Sequence, residues 1–302
     1  MANFSKTLIG SQFGAMNEQK TLASVKEYYG KVLSTSKDLK TSACSASKKP
    51  HHLILEAMKD IPDEVMSKFY GCGTPLPLGI GGLAVLDLGS GSGRDCYLAS
   101  KFVGETGRVI GLDMTDAQLD VARSHVAEYT ETLGYAAPNM EFKTGFIERI
   151  PESGVEKESV DIVISNCVVN LSPDKSAVLK GAYDVLKKGG EFHFSDVYCN
   201  RRLPEHVRDH EVLWGECVAG AMYTQDFVRA ANEVGFGDVR VLERSEVVVT
   251  DPRLADICGE ARFCSITYRL FKLPGMLETI CEDYGQGRCL CDIRNEGWIG
   301  GG

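Results

Sequence analysis

A chain of 302 residues with a formal charge of −9 is long enough for one typical domain and an appendage, and its acidity argues against a nucleic-acid partner, whose phosphates call for a basic surface. No apolar run reaches the roughly 18 residues of a membrane span, and the start Met1-Ala-Asn-Phe-Ser-Lys6 lacks the apolar core of a signal peptide, so a cytoplasmic protein with no membrane partner is expected. Its eleven cysteines are then unexpected, because a reducing compartment has no use for them as a permanent disulfide framework.

In chain order, a helix is predicted over 18–36, followed by a polar loop around Cys44 and a helix over 50–58. A further helix over 62–70 is closed by the Gly/Pro turn Gly71-Cys72-Gly73-Thr74-Pro75. Strands and helices then alternate: strand 83–88, helix 93–103, strand 108–113, helix 115–133, strands 140–144 and 159–165, helix 173–187 and strand 190–197. That alternation predicts an α/β fold, a parallel sheet with helices on both faces. Beyond Tyr198 helices are expected around 204–235, with strands near 238–249 and 262–271 as a small α+β C-terminal domain. The expected division is an N-terminal segment over 1–60, a cofactor-binding domain over 61–200 and a C-terminal region over 201–302.

Between the first strand and its helix stands Asp87-Leu-Gly89-Ser-Gly91-Ser-Gly93. Alternate glycines let the backbone turn sharply and approach a ligand without a Cβ in the way. About 20 residues beyond, the second strand ends in Asp113, placed to accept hydrogen bonds from ribose hydroxyls. Dinucleotide enzymes use a similar loop, but an acid preceding the glycines resembles the motif of the Rossmann-like S-adenosylmethionine (SAM) methyltransferases. In such sheets the ligand lies outside the carboxyl ends of the strands. At those ends Ile147 and Glu148 are placed to frame an adenine, and Asn166-Cys167 puts a thiol in the crevice. A thiolate is a soft ligand and nucleophile, and a second candidate, Cys217, follows in Leu213-Trp-Gly-Glu-Cys217. Two thiolates converging on one point would favour a soft, thiophilic acceptor. No Cys-x-x-Cys pair occurs, so a structural zinc site is not indicated. Each histidine is read as structural or solvated, and Glu216 as a solvated helix charge.

At this point the chain resembles the arsenite SAM methyltransferases. The likeness is carried by Asp38-Leu-Lys-Thr-Ser-Ala-Cys44, Tyr70-Gly-Cys72-Gly, Asp87 to Cys96, Ser165-Asn-Cys167-Val-Val-Asn-Leu, Phe194-Ser-Asp-Val-Tyr198, Trp214-Gly-Glu-Cys217 and Arg262-Phe-Cys-Ser. It runs from about residue 25 to about 286. The resemblance implies a class I SAM methyltransferase sheet and a reaction in which thiolate-bound As(III) takes a methyl group from SAM. It implies Cys167 and Cys217 as essential As(III) ligands, Cys72 as a third, and Cys44 as the partner of Cys72 in a disulfide formed during turnover. A thiol reductant, glutathione or thioredoxin, would reopen that bond, and arsenite or its thiol conjugates would be the substrate. The implied cofactor residues are Tyr70, Asp87, Gly89, Gly91, Gly93, Asp113, Met114, Ile147, Glu148 and Asn166. The tail over 287–302 departs from the longer C-terminal segment of that family. Two rival readings stay open: a SAM methyltransferase for an organic acceptor such as a quinone, and a thiolate metalloid-binding protein without turnover.

Overall fold

The computed structural model describes residues 18–27 and 50–275. Cys44, the loop around it, and the tail with Cys281, Cys289 and Cys291 lie outside the described residues. Strand β1 (Ala84–Leu88) is buried along nearly its whole length, as an apolar run must be when a sheet is covered on both faces. Side chains alternate between those faces. Val85, Ile162 and Ile164 join one core cluster, whereas Leu86, Leu88 and Val163 join another.

The strands that follow are β2 (Arg108–Asp113), β3 (Met140–Thr144), β4 (Val160–Asn166), β5 (Leu186–Cys199), β6 (Met222–Tyr223), β7 (Gly237–Val247) and β8 (Phe263–Phe271). They form one sheet in the order β3-β2-β1-β4-β5-β8-β7, with β6 beside β5. β1 to β5 pair in parallel, while β8 runs antiparallel to β5 and β7 antiparallel to β8. The two C-terminal strands therefore extend the central sheet.

The helices are α1 (Glu18–Glu27), α2 (His52–Met58), α3 (Asp63–Ser67), α4 (Arg94–Val103), α5 (Asp116–Ser124), α6 (Val126–Leu133), α7 (Lys175–Val185), α8 (Glu205–Arg208), α9 (Glu211–Gly215), α10 (Thr224–Val234) and α11 (Pro252–Cys258). Helix 115–133 of the sequence reading divides in two at His125, whose dihedrals (φ −104°, ψ 1°) leave the helical range. Its Nε2 lies 3.1 Å from Glu64 Oε2 on α3. Helix α7 stops at Val185, and Leu186 already pairs with Val160 of β4. Among the described residues no helix is long and apolar enough to cross a membrane.

Candidate active site

Three positions of the β1–α4 turn, Gly89, Gly91 and Gly93, have positive φ, which glycine adopts without a Cβ penalty. Gly89 has φ +71°, and a Cβ there would meet Val168 Cγ1 at 2.4 Å. Gly91 has φ +53°, and its Cβ would find nothing nearer than Gln118 Oε1 at 4.0 Å, so its backbone faces open space. Gly93, at φ +95°, caps α4, and a Cβ there would press on Phe142 and Ala122 at 3.0 and 3.1 Å. This third glycine thus serves the packing of α4 on the sheet, the role expected of it in such turns.

The turn opens into a cavity enclosing about 910 Å³ of empty space, its mouth included. Tyr70, Asp87, Gly89, Gly91, Asp113, Met114, Ile147, Glu148, Asn166 and Cys167 all line it. Gly93, Cys72 and Cys217 do not, and Cys44 lies outside the described residues. The Asp113 carboxylate accepts hydrogen bonds from the backbone N–H groups of Gly91 (2.9 Å) and Thr115 (2.8 Å). Burial pushes its carboxyl above the usual aspartate value, against the pull of those donors. Burial, and then the charge of Asp95, pushes Asp87 well up too. Two lining atoms, Ser90 Oγ and Glu148 Oε1, are buried without a hydrogen-bond partner. Buried polar atoms of this kind call for a partner. An adenosyl ligand, with donors and acceptors on base and ribose, fits that requirement and the open cradle at Gly91.

Behind the cavity stand the thiols. Cys167 follows β4 directly in the left-handed region (φ +56°), and Cys217 follows α9 in the same region (φ +61°). The Cys217 thiol donates to the carbonyl oxygen of Cys167 at 3.1 Å. Cys167 Sγ, Cys217 Sγ and an Asp196 carboxylate oxygen lie within 4.8 Å of one another, all buried. Asn170 ties these segments together: its backbone N–H donates to Asp196 Oδ2 at 2.9 Å, and its amide donates to the carbonyls of Val197 and Cys217. Burial pushes Asp196 up to about 7, against the N–H groups of Asn170 and Val197 and the charge of Lys175. It pulls Lys175 down to about 8, against the charges of Asp196 and Cys217. A buried ammonium thus stands in the field of the thiol site.

The structure corrects the reading of Glu216 and adds contacts at Cys72 and Asn166. Cys72 is joined to Cys167 (Cα–Cα 5.7 Å), a different pairing from the Cys44–Cys72 bond expected during turnover, whose Cys44 lies outside the described residues. The amide of Asn166 holds the backbone of Cys72 and Gly73 against the end of β4, and that contact brings the two cysteines together. Asn166 lines the cavity, but its amide hydrogen-bonds to the Cys72 loop and Asp95. Glu216 is only 2 % exposed and is no solvated helix charge. Sequence reasoning missed Asp196, Lys175 and Asn170. The available signal was an acid inside the apolar run of β5, since charged side chains are almost never fully buried unless paired.

Comparison with known proteins gives concordant findings. A family model described as a methyltransferase domain matches residues 81–235. The arsenite methyltransferase of Aquipseudomonas alcaligenes is 49% identical over 263 residues, covering 87% of this chain and 75% of that one. The human arsenite methyltransferase is 45% identical over 260 residues, covering 85% and 69%. The crystal structure of an arsenic(III) SAM methyltransferase from Chlamydomonas reinhardtii superposes with a TM-score of 0.74 at 57% identity, covering 79% of each chain.

Proposed function

Since the chain belongs to the arsenite methyltransferase family and is a SAM-dependent enzyme that methylates arsenic, we propose that Cys72, Cys167 and Cys217 are the thiolates that hold its trivalent arsenic. The observation that carries this reading is the double position of Cys167. It lines the cofactor cavity and stands within 4.8 Å of the Cys217 sulfur behind it. A soft metalloid bridging those sulfurs meets the cavity at one residue.

SAM supplies a methyl group on a sulfonium, whose leaving group is a neutral thioether. Everything else falls to the chain. The glycine turn, Asp113, Ile147 and Glu148 hold and orient the nucleoside, and Tyr70 presents an aromatic face suited to a cation. The thiolates fix the arsenic so that its lone pair points at the cavity. The lone pair carries no proton, so the transfer itself requires no general base, and its rate rests on position. That agrees with His193, which is turned to Glu191 at 2.7 Å and away from the site.

Opening the Cys72–Cys167 bond takes two electrons and two protons from a thiol reductant, glutathione or thioredoxin in this proposal. The buried free thiols of Cys96, Cys199, Cys258 and Cys264 support a reducing, cytoplasmic setting. The test is arsenic speciation after incubating the reduced protein with arsenite and SAM. Wild type is expected to yield methylated arsenicals, and the Cys167→Ser and Cys217→Ser variants none. Undiminished product from either variant would remove it from the ligand set.

A further inference from the structure

We propose that Asn166 is a positioning residue that selects for arsenite, by holding Cys72 where it can act as the third sulfur beside Cys167 and Cys217. The inference rests on the three-thiolate reading above and assigns to Asn166 a task other than cofactor binding.

Asn166 is the last residue of β4 and is buried. Its amide oxygen accepts from Cys72 N at 2.9 Å and Gly73 N at 3.1 Å. Its amide nitrogen donates to Gly73 O and to Asp95 Oδ2, both at 2.8 Å. Two lone pairs and two N–H groups are all that a primary amide has, and each is engaged. Three of the four bonds grip the two residues Cys72 and Gly73.

The rest of the cradle is equally close. A Cβ on Gly71 would lie 2.6 Å from Asn166 Cγ, and one on Gly73 would lie 2.7 Å from Ser195 Oγ. The loop is thus wedged between Asn166 of β4 and Ser195, its register partner on β5. Arg94 closes the arrangement by donating from Nη2 to Gly73 O at 3.0 Å and from Nε to Asp95 Oδ1 at 2.9 Å. Cys72 belongs to a stretch with no helix or strand of its own, so this clamp sets where its sulfur stands. Cys167 and Cys217, by contrast, are fixed by β4 and α9.

The chemistry of arsenic turns that difference into selectivity. Arsenite offers three exchangeable bonds and can engage all three sulfurs. Monomethylarsenic(III) has one valence taken by carbon and needs only two, which Cys167 and Cys217 supply. Loosening Cys72 should therefore weaken arsenite and spare its methylated form.

The experiment measures the dissociation constants of arsenite, monomethylarsenic(III) and SAM for the reduced full chain as wild type, Asn166→Ala and Gly73→Ala, with Cys217→Ser as control. In Asn166→Ala arsenite should bind about tenfold more weakly or worse, as the effective concentration of the third thiolate falls. Monomethylarsenic(III) should stay within about threefold, the size of effect usual away from direct contacts, and SAM should be unchanged. Weaker SAM binding with an unchanged ratio of the two arsenicals would return Asn166 to the cofactor site. Equal loss of both arsenicals would make its role merely structural. Either result overturns the proposal. If Asn166→Ala does not fold, Gly73→Ala decides by the same ratio, because its methyl displaces the loop from the Ser195 side. Failure of the thiolate reading itself looks different: Cys217→Ser would then bind both arsenicals as wild type does.

Discussion

Cys167 and Cys217 hold their backbones at φ +56° and +61°, a region that costs an L-residue about 1–2 kcal/mol. Each turns the chain sharply at the end of a regular element, and the turn aims the thiol inward. For Cys217 the turn is closed by its N–H donating to Trp214 O at 3.0 Å. Glycine would make the same turn without strain, so the thiol is retained at the expense of stability, as is common where strain serves a site. Two truncations separate the effects. Cys217→Gly and Cys217→Ala both remove the sulfur and should both abolish methyl transfer. The glycine variant should be the more stable by about 1 kcal/mol in denaturant unfolding, because only it relieves the left-handed backbone. Equal stability of the two would mean that Cys217 is not strained.

The long strand β5 joins the parallel part of the sheet to its antiparallel part, since it pairs in parallel with β4 and antiparallel with β8. A forked ion pair pins the second seam: Arg269 of β8 donates from Nε and Nη2 to the two carboxylate oxygens of Glu191, at 2.8 and 2.6 Å. Burial alone would raise the pKa of Glu191, but His193 and Arg269 outweigh it and hold the group down at about 2. A carboxyl depressed in the folded state stabilises above its unfolded value of 4.5 and loses that contribution as pH falls toward 2. Glu191→Gln should therefore cost about 1 kcal/mol at pH 7, after allowance for the pair's partial exposure to solvent. The deficit should shrink below pH 4.5 in urea titrations run at several pH values, and a deficit independent of pH would exclude the ion pair as its source. The seam also marks what could be read in advance. β1, β2 and β3 were legible because each is a short run bounded by local turn signals. The antiparallel addition of β7 and β8 was not, because it depends on partners far away in sequence. The break at His125 belongs to the same class, since its ring answers Glu64, 61 residues earlier. In the site, the thiols and the glycine turn were visible as residue types. The engagement of Asn166 with the Cys72 loop, the burial of Glu216 and the nearness of the Lys175 charge to Asp196 were not, because each is made by an approach that no local pattern encodes.

At the scale of the whole molecule, the proposed arrangement brings the two substrates together at the carboxyl ends of the parallel strands, with Cys167 common to both sides. The bond between Cys72 and Cys167 bears on those sides unequally. Of the three proposed arsenic sulfurs it takes up two and leaves Cys217 outside the disulfide. The nucleoside side depends on Asp87 and Gly89 from β1 and its turn, on Asp113 from β2 and on Glu148 beyond β3, none of which the bond touches. The oxidised chain should accordingly bind SAM as well as the reduced chain does and bind arsenite far more weakly. Adding a phosphine reductant, which does not chelate arsenic as dithiols do, should expose two further thiols and restore arsenite binding. Calorimetric titration of both ligands before and after reduction, with a thiol count on the same samples, measures this directly. Arsenite binding of equal strength in both states would show that Cys217 alone, or sulfurs other than Cys72 and Cys167, carry the arsenic. A parallel loss of SAM binding on oxidation would instead mean that the bond reshapes the cavity through the shared residue, and that the two sides of the site do not act separately.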